Sequence, residues 1–268
     1  MKLCGNWPIG VCSWSLGNDL KILNKLKAQS GIEHIHLALK PAMNDEDYLK
    51  KIISSGWTIS ATMIDFPQED YSTLDSIRRT GGIIPDYCWE SNRELVQWAV
   101  EATSQLEVKY LEFHFGFIDL CEKDYAYKLL DRAKEVGDIA GENGVKILFE
   151  TGQETAGTLC KFLEILNHPA LAVNFDPANM ILYGKGNPVE AVDLLGPWIK
   201  HVHIKDAISS SAKDNWGSEV VWGIGEVRQD AFLNALKRNG FRGTFSIERE
   251  AGKNRVEDIK TVVNQLIR

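Results

Sequence analysis

Four residues able to bind a hard metal ion close four apolar runs in the second half of the chain. Glu150 ends KILFE, Asp176 ends LAVNFD, His203 ends HVH and Glu248 ends FSIE. The first two are 26 residues apart and the next pair 27, about one β-strand plus one helix each time. The last gap, 45 residues, carries a Gly-rich insertion as well. If the runs are neighbouring parallel strands of a closed barrel, all four side chains meet at one mouth. Three carboxylates and an imidazole at one point make a divalent-metal site. Carboxylates favour Mg²⁺ and Mn²⁺, while the imidazole tilts the set toward Mn²⁺, Co²⁺ or Zn²⁺.

Strand parity tests that convergence, since alternate residues of a strand share a face. Glu150 shares one with Leu148, Asp176 with Asn174, His203 with His201 and Lys205, and Glu248 with Ser246. The residues between them, Phe149, Phe175, Val202 and Ile247, are apolar and suit a face covered by helices.

The elements that must position these residues alternate along the whole chain. Strands are expected over 9–14, 34–39, 57–66, 110–116, 146–150, 171–176, 201–206 and 245–250, from β-branched and aromatic runs. Helices are expected over 19–31, 44–55, 94–106, 125–144, 154–167, 188–195, 228–239 and 256–267, from apolar residues at helical spacing and Gly stops. Eight strand–helix units in 268 residues predict an α/β fold, one (β/α)₈ TIM barrel forming a single domain over 1–268. A doubly wound open sheet is the alternative, but no GxGxxG follows the first strand. Two segments exceed ordinary loop length, 67–90 and 207–227. Both follow strands, so both belong over the C-terminal mouth, where barrel active sites form.

Bulk properties exclude several functions. A net charge of −7 without a long basic run disfavours a nucleic-acid partner. No apolar run reaches the length of a membrane span and no signal-like core opens the chain, so a cytoplasmic protein without membrane attachment is expected. The five scattered cysteines contain no CxxC pair and suggest neither a disulfide framework nor a zinc knuckle.

Taken in order, LFETG, NFDPAN, HVHIKD and IERE resemble the xylose-isomerase-like barrel superfamily. The nearest resemblance is to sugar phosphate isomerases/epimerases, with ketose 3-epimerases and inosose dehydratases as relatives, and it spans essentially the whole chain. It implies one divalent ion, Mn²⁺ first, on Glu150, Asp176, His203 and Glu248. It also implies that Glu150 and Glu248 act as catalytic acid and base on opposite faces of the substrate. Homo-oligomers occur among such relatives and are expected here by analogy only. Two departures stand out. Ketose epimerases carry an arginine shortly after the metal histidine, whereas IKDAISSSAK follows His203. DNA-repair endonucleases of the superfamily carry a histidine where this chain has Asn179.

The chemistry expected of such a site is proton transfer beside the carbonyl of a keto sugar or cyclitol. The ion would chelate the carbonyl and a neighbouring hydroxyl and stabilise the developing enediolate. One glutamate removes a proton and the other returns it to the opposite face, giving an isomerase or epimerase. A dehydratase of a keto sugar or inosose uses the same first step and is the alternative enzyme. A sugar-binding homologue with a vestigial site is the alternative outside catalysis.

Further candidates surround the four. His114, Asn179, Lys205, Trp14 and Trp222 are candidate substrate contacts, and Trp216 is placed near the mouth. His201 is expected to line the barrel more deeply, held by hydrogen bonds, and His36 in HIHLAL is a weaker candidate of the same kind as His114. Glu250 shares a face with Glu248 and rivals it as a ligand, and Glu248 is preferred on the motif. Asp206 is expected either to orient His203 or to be a solvated loop carboxylate.

Overall fold

The computed structural model describes residues 1–212 and 215–267. Eight parallel strands alternate with helices: β1 Trp7–Cys12, β2 His34–Ala38, β3 Thr58–Met63, β4 Tyr110–Phe113, β5 Lys146–Glu150, β6 Leu171–Phe175, β7 Ile199–Ile204 and β8 Thr244–Ile247. Each pairs with the next, and β8 returns to β1 through Ser246 opposite Gly10. The ring is therefore closed, a (β/α)₈ barrel, and the open-sheet alternative is excluded. A short antiparallel strand, Leu3–Cys4, folds back on Trp7–Pro8 at the N-terminal end.

The helices are α1 Leu20–Ser30, α2 Tyr48–Ser54, α3 Leu74–Thr80, α4 Trp89–Gln105, α5 Lys123–Glu142, α6 Ala156–Leu166, α7 Pro177–Leu182, α8 Pro188–Leu195, α9 Gln229–Arg238 and α10 Arg255–Leu266. Among the described residues none is long and apolar enough to cross a membrane.

The core lies between the outer faces of the strands and the helices. Phe149 of β5 packs on Phe115 and on Phe162 of α6, and Phe175 of β6 packs on Phe232 of α9. These are the residues that parity assigns to the helix side.

Boundaries move where side chains compete with the ladder. The first strand starts at Trp7 and stops at Cys12, because Ser13–Leu16 turns into a 3₁₀ helix. The fourth stops at Phe113, so His114 lies just beyond it. Segment 67–90 is not all loop: α3 lies inside it, started by Thr73, whose hydroxyl accepts from Ser76 N–H. A short α7, absent from the expected elements, follows β6 directly. Asp176 caps it and Pro177 fills its first position, where a missing N–H costs nothing. Segment 207–227 also carries structure. Asp206–Ile208 pairs antiparallel with Ser218–Val220, while 213 and 214 lie outside the described residues.

Candidate functional site

The C-terminal ends of β5, β6, β7 and β8 deliver the four sequence-predicted residues to one point. One ligand atom from each of Glu150, Asp176, His203 and Glu248 lies within 4.8 Å of all the others, and all four residues are buried. His203 Nδ1 lies 2.8 Å from Glu150 Oε1, 3.2 Å from Glu248 Oε2 and 3.6 Å from Asp176 Oδ2. Two strands separate Glu150 from Glu248 around the ring, so the glutamates enter the cluster from different sides. Glu250 does not enter it. Its side chain is 52% exposed and reaches only Lys205.

The hydrogen-bond network beneath assigns the His36 tautomer. His36 Nε2 lies 3.2 Å from the Thr62 carbonyl, which only accepts, so Nε2 carries the proton. Burial holds His36 well below the ordinary histidine range, so the ring is neutral and its Nδ1 is a lone pair. His203 Nε2 lies 3.1 Å from that lone pair and 3.1 Å from the amide nitrogen of Asn174. The remaining nitrogen of His203, Nδ1, then faces three carboxylates. Only a proton or a metal ion bound to Nδ1 makes that arrangement favourable. Asp176 Oδ2, buried in the same cluster, receives no hydrogen bond among the described residues. Octahedral bonds of about 2.1 Å space ligands by roughly 3–4.2 Å, close to the spread of the cluster. The donor set therefore fits one divalent ion.

His201 lies one layer deeper, as parity predicts. Its Nδ1 donates to Asn174 Oδ1 at 2.9 Å, and its Nε2 meets Ser246 Oγ at 3.1 Å and Ser60 Oγ at 3.2 Å. Cys12 joins His36 and His203 in a second buried group, but the facing nitrogens of those rings are spent on each other.

Around the cluster opens a cavity of about 600 Å³. His114 lines it, with Nε2 2.8 Å from Glu150 Oε2. Burial opposes charge on His114, but Glu150 and further carboxylates outweigh it and push the imidazole up to about 10. Burial would equally raise Glu150, yet His114 and His203 hold it well below the usual carboxylate range. Glu112, next to them, has no comparable cation. Burial and the charge of Glu150 raise its carboxyl well above that range, which favours the protonated form.

Trp14, on the 3₁₀ turn after β1, donates Nε1–H to Glu248 Oε1 at 2.6 Å. Lys205 Nζ lies 3.0 Å from Glu248 Oε2, 2.9 Å from Glu250 Oε2 and 3.7 Å from Asp176 Oδ2. Burial works against its charge, but Glu248, Glu250 and Asp176 together keep the ammonium well above the ordinary lysine range. Asn179 lines the cavity, with its backbone N–H on Asp176 Oδ1 at 2.9 Å and its side-chain oxygen 3.4 Å from Lys205 Nζ.

Two placements correct the sequence reading. Trp222 is not a substrate contact: it is 3% exposed and packs edge-on against Phe232. Within the same loop Trp216 takes the aromatic position at the mouth, against Tyr183 at 4.8 Å between ring centroids. Asp206 neither orients His203 nor faces solvent. Its buried carboxylate accepts from the N–H groups of Ala207, Gly223, Gly225 and Val227. A Cβ at Gly225 would sit 2.2 Å from Asp206 Oδ1, which is why the chain needs glycine there.

Sequence reasoning missed several lining residues. Glu69 and Tyr71 come from the segment before α3, Tyr183 from the end of α7, and Glu219 from the hairpin. Glu219 accepts from Arg249 and from the N–H groups of Glu250 and Ala251 at 3.1 Å, which fastens the hairpin beside the site. The aromatic and acidic content of the two long segments hinted at Glu69, Tyr71 and Glu219, and nothing in the sequence hinted at Tyr183.

Comparison with known proteins agrees with this geometry. The model of the xylose isomerase-like TIM barrel family matches residues 28–267. Inosose dehydratase 1 of Bacillus cereus (strain ZK / E33L) is 27% identical over 139 residues, 46% of this chain and 46% of its own length. The match thus spans about half the length of that curated relative. A xylose isomerase domain protein from Planctomyces limnophilus has 28% identity and a TM-score of 0.89, over 97% of this chain and 96% of that one. The IolI protein with a bound zinc atom shares the fold at a TM-score of 0.74 and 19% identity, over 100% of this chain and 98% of its own. The chain belongs to the xylose isomerase-like TIM barrel family.

Proposed function

We propose that Glu150, Asp176, His203 and Glu248 hold one divalent ion, Mn²⁺ first, and that the chain is an isomerase or epimerase. Its reaction is proton transfer at the carbon beside the carbonyl of a sugar- or cyclitol-derived ketone. One observation carries the reading: two glutamates from separated strands enter one buried cluster with different partners. Glu150 faces His114, whereas Glu248 faces Trp14 and Lys205.

When bound, the ion would supply Lewis-acid polarisation of substrate oxygens. The side chains supply the rest. Glu150, kept ionised by His114 and His203, is ready to accept a proton. Glu248 is fixed in orientation by the Trp14 N–H and exchanges protons on the other side. Glu112, whose carboxyl burial and Glu150 push toward the protonated form, can then donate a hydrogen bond to a substrate oxygen. Trp14, Tyr71, Tyr183 and Trp216 offer aromatic walls to the C–H faces of a sugar-like ring.

A second reading, dehydration, has one feature in its favour. Lys205 places an ammonium 3.0 Å from Glu248, where it can assist a departing hydroxyl. The inosose dehydratases at 24–27% identity support the same alternative.

Incubation of the Mn²⁺-loaded protein with keto sugars and inososes in D₂O, followed by NMR, tests both readings. Deuterium beside the carbonyl with a new epimer or isomer supports the first. Loss of water supports the second. Saturable binding without exchange across the panel would leave a sugar-binding protein and sink the enzymatic reading.

A further inference from the structure

At the other end of the barrel, the N-terminal ends of the strands surround a second cavity of about 860 Å³. That volume is within the range of small-molecule sites, roughly 300–1,000 Å³. Its apolar wall includes Trp7 and Phe241, with ring centroids 6.0 Å apart. The Trp7 indole N–H is spent on the Phe241 carbonyl at 2.9 Å, so the ring presents carbon to the cavity.

His201 lines the inner end. Both of its nitrogens are engaged, with Asn174 on one side and Ser60 and Ser246 on the other. Among the described residues, none lines both this cavity and the one at the mouth.

Charge sets this cavity apart. Among the described residues Lys200, Lys237 and Arg242 line it, and no Asp or Glu does. Among the described residues, none of the three forms an ion pair, whereas Arg238, next to Lys237, is paired with Asp193 at 2.8 Å. In a chain of net charge −7, a carboxylate-free cavity with three cations runs against the overall composition. Lys200 is partly buried, and its ammonium donates to the Pro197 carbonyl at 2.8 Å, which leaves its charge without a counter-ion. Burial and the like charge of Lys146 hold it below the ordinary lysine range. Like charges gathered without a counter-ion over an apolar wall are what an anion with an apolar body would satisfy.

We propose that this cavity binds a small organic anion, an aryl or alkyl phosphate or carboxylate. Its charged group would lie among Lys200, Lys237 and Arg242, and its apolar body over Trp7 and Phe241. The site is separate from the metal cluster and does not depend on the function assigned there.

Calorimetric titration at low salt with phenyl phosphate, benzoate, inorganic phosphate and benzyl alcohol tests this. The proteins are the wild type, the double variant Lys237→Ala/Arg242→Ala and Asp176→Asn. At least one aryl anion should bind the wild type saturably, and whichever binds tighter identifies the charged group. Its affinity should fall about tenfold or more in the double variant and be unchanged in Asp176→Asn. Inorganic phosphate and benzyl alcohol should each bind about tenfold more weakly than the aryl anion. The proposal is overturned if neither aryl anion binds at millimolar concentration, or if binding survives the double variant. Loss of binding in Asp176→Asn would move the site to the mouth, and equal binding of inorganic phosphate would leave only a diffuse charge effect. Lys237 and Arg242 are exposed, and circular dichroism checks that the double variant keeps its fold.

Discussion

His114 Nε2 lies 2.8 Å from Glu150 Oε2, and the two groups set each other's charge. The pair keeps the imidazole protonated to about pH 10 and the carboxylate ionised far into the acid range. His114→Gln removes the cation but keeps a hydrogen-bond donor. Turnover should fall, and the acid limb of the pH–rate profile should move to higher pH as the Glu150 carboxyl rises. A profile identical to wild type would detach Glu150 from the chemistry. Stability responds as well. The folded value of His114 is raised above its ordinary 6.5, so its contribution is complete below pH 6.5 and lost as pH rises through about 10. Metal-free wild type should lose its advantage over His114→Gln in that window, as measured by urea unfolding.

Asp176 tests the metal assignment with little disturbance, because asparagine can still cap α7 through its side-chain oxygen. Metal analysis of wild type should find about one divalent ion per chain, and Asp176→Asn should weaken its binding by more than about a hundredfold, beyond the 10–100-fold expected of an outer-shell change. Unchanged metal content would place the ion elsewhere.

Lys205 is 5% exposed and stands among Glu248, Glu250 and Asp176. Removing one member of a buried ion pair costs about 3–5 kcal/mol, because the remaining charges lose their partner. Lys205→Ala should be destabilised by that order in EDTA and by clearly less with Mn²⁺, which supplies replacement positive charge. Equal losses under both conditions would mean that the ammonium and the ion do not share the carboxylates.

Asp206 gathers four backbone N–H groups from the loop that follows β7. Asp206→Ala orphans them, at a cost of about 3 kcal/mol or more. The expected result is a lower unfolding temperature and faster proteolytic cleavage within 207–227. Cleavage at the wild-type rate would show that the loop is held by other contacts, such as Glu219 with Arg249.

Glu154 is buried and carries no compensating ion pair among the described residues, so burial raises its carboxyl to about 8. A folded value above the ordinary 4.5 means that stability is complete below pH 4.5 and declines as pH rises through about 8. Glu154→Gln should flatten that decline and be the more stable protein at pH 9. An identical pH dependence would mean that water reaches the carboxylate.

How far the sequence reaches is clear from particular residues. Period-two alternation put Glu150, Asp176, His203 and Glu248 on the inner face of strand ends, and the even spacing of strand and helix implied the barrel. Those are local patterns repeated at a fixed period, so they survive without coordinates. The same logic assigned His201 to a deeper layer, next to Asn174.

What the fold alone decided lacks any period. Ring closure brings β8 against β1, and with it Trp14 onto Glu248 across 234 residues of chain. Lys205 selects its carboxylates, Asp206 gathers glycine N–H groups, and Trp222 turns inward while Trp216 faces the mouth. Each outcome depends on which remote groups compete for the same buried space and hydrogen bonds. The residue types and their spacing determine which chemistry is available. Burial and proximity, set only by the closed barrel and its two long segments, determine which of those groups are charged, which are paired and which face the substrate.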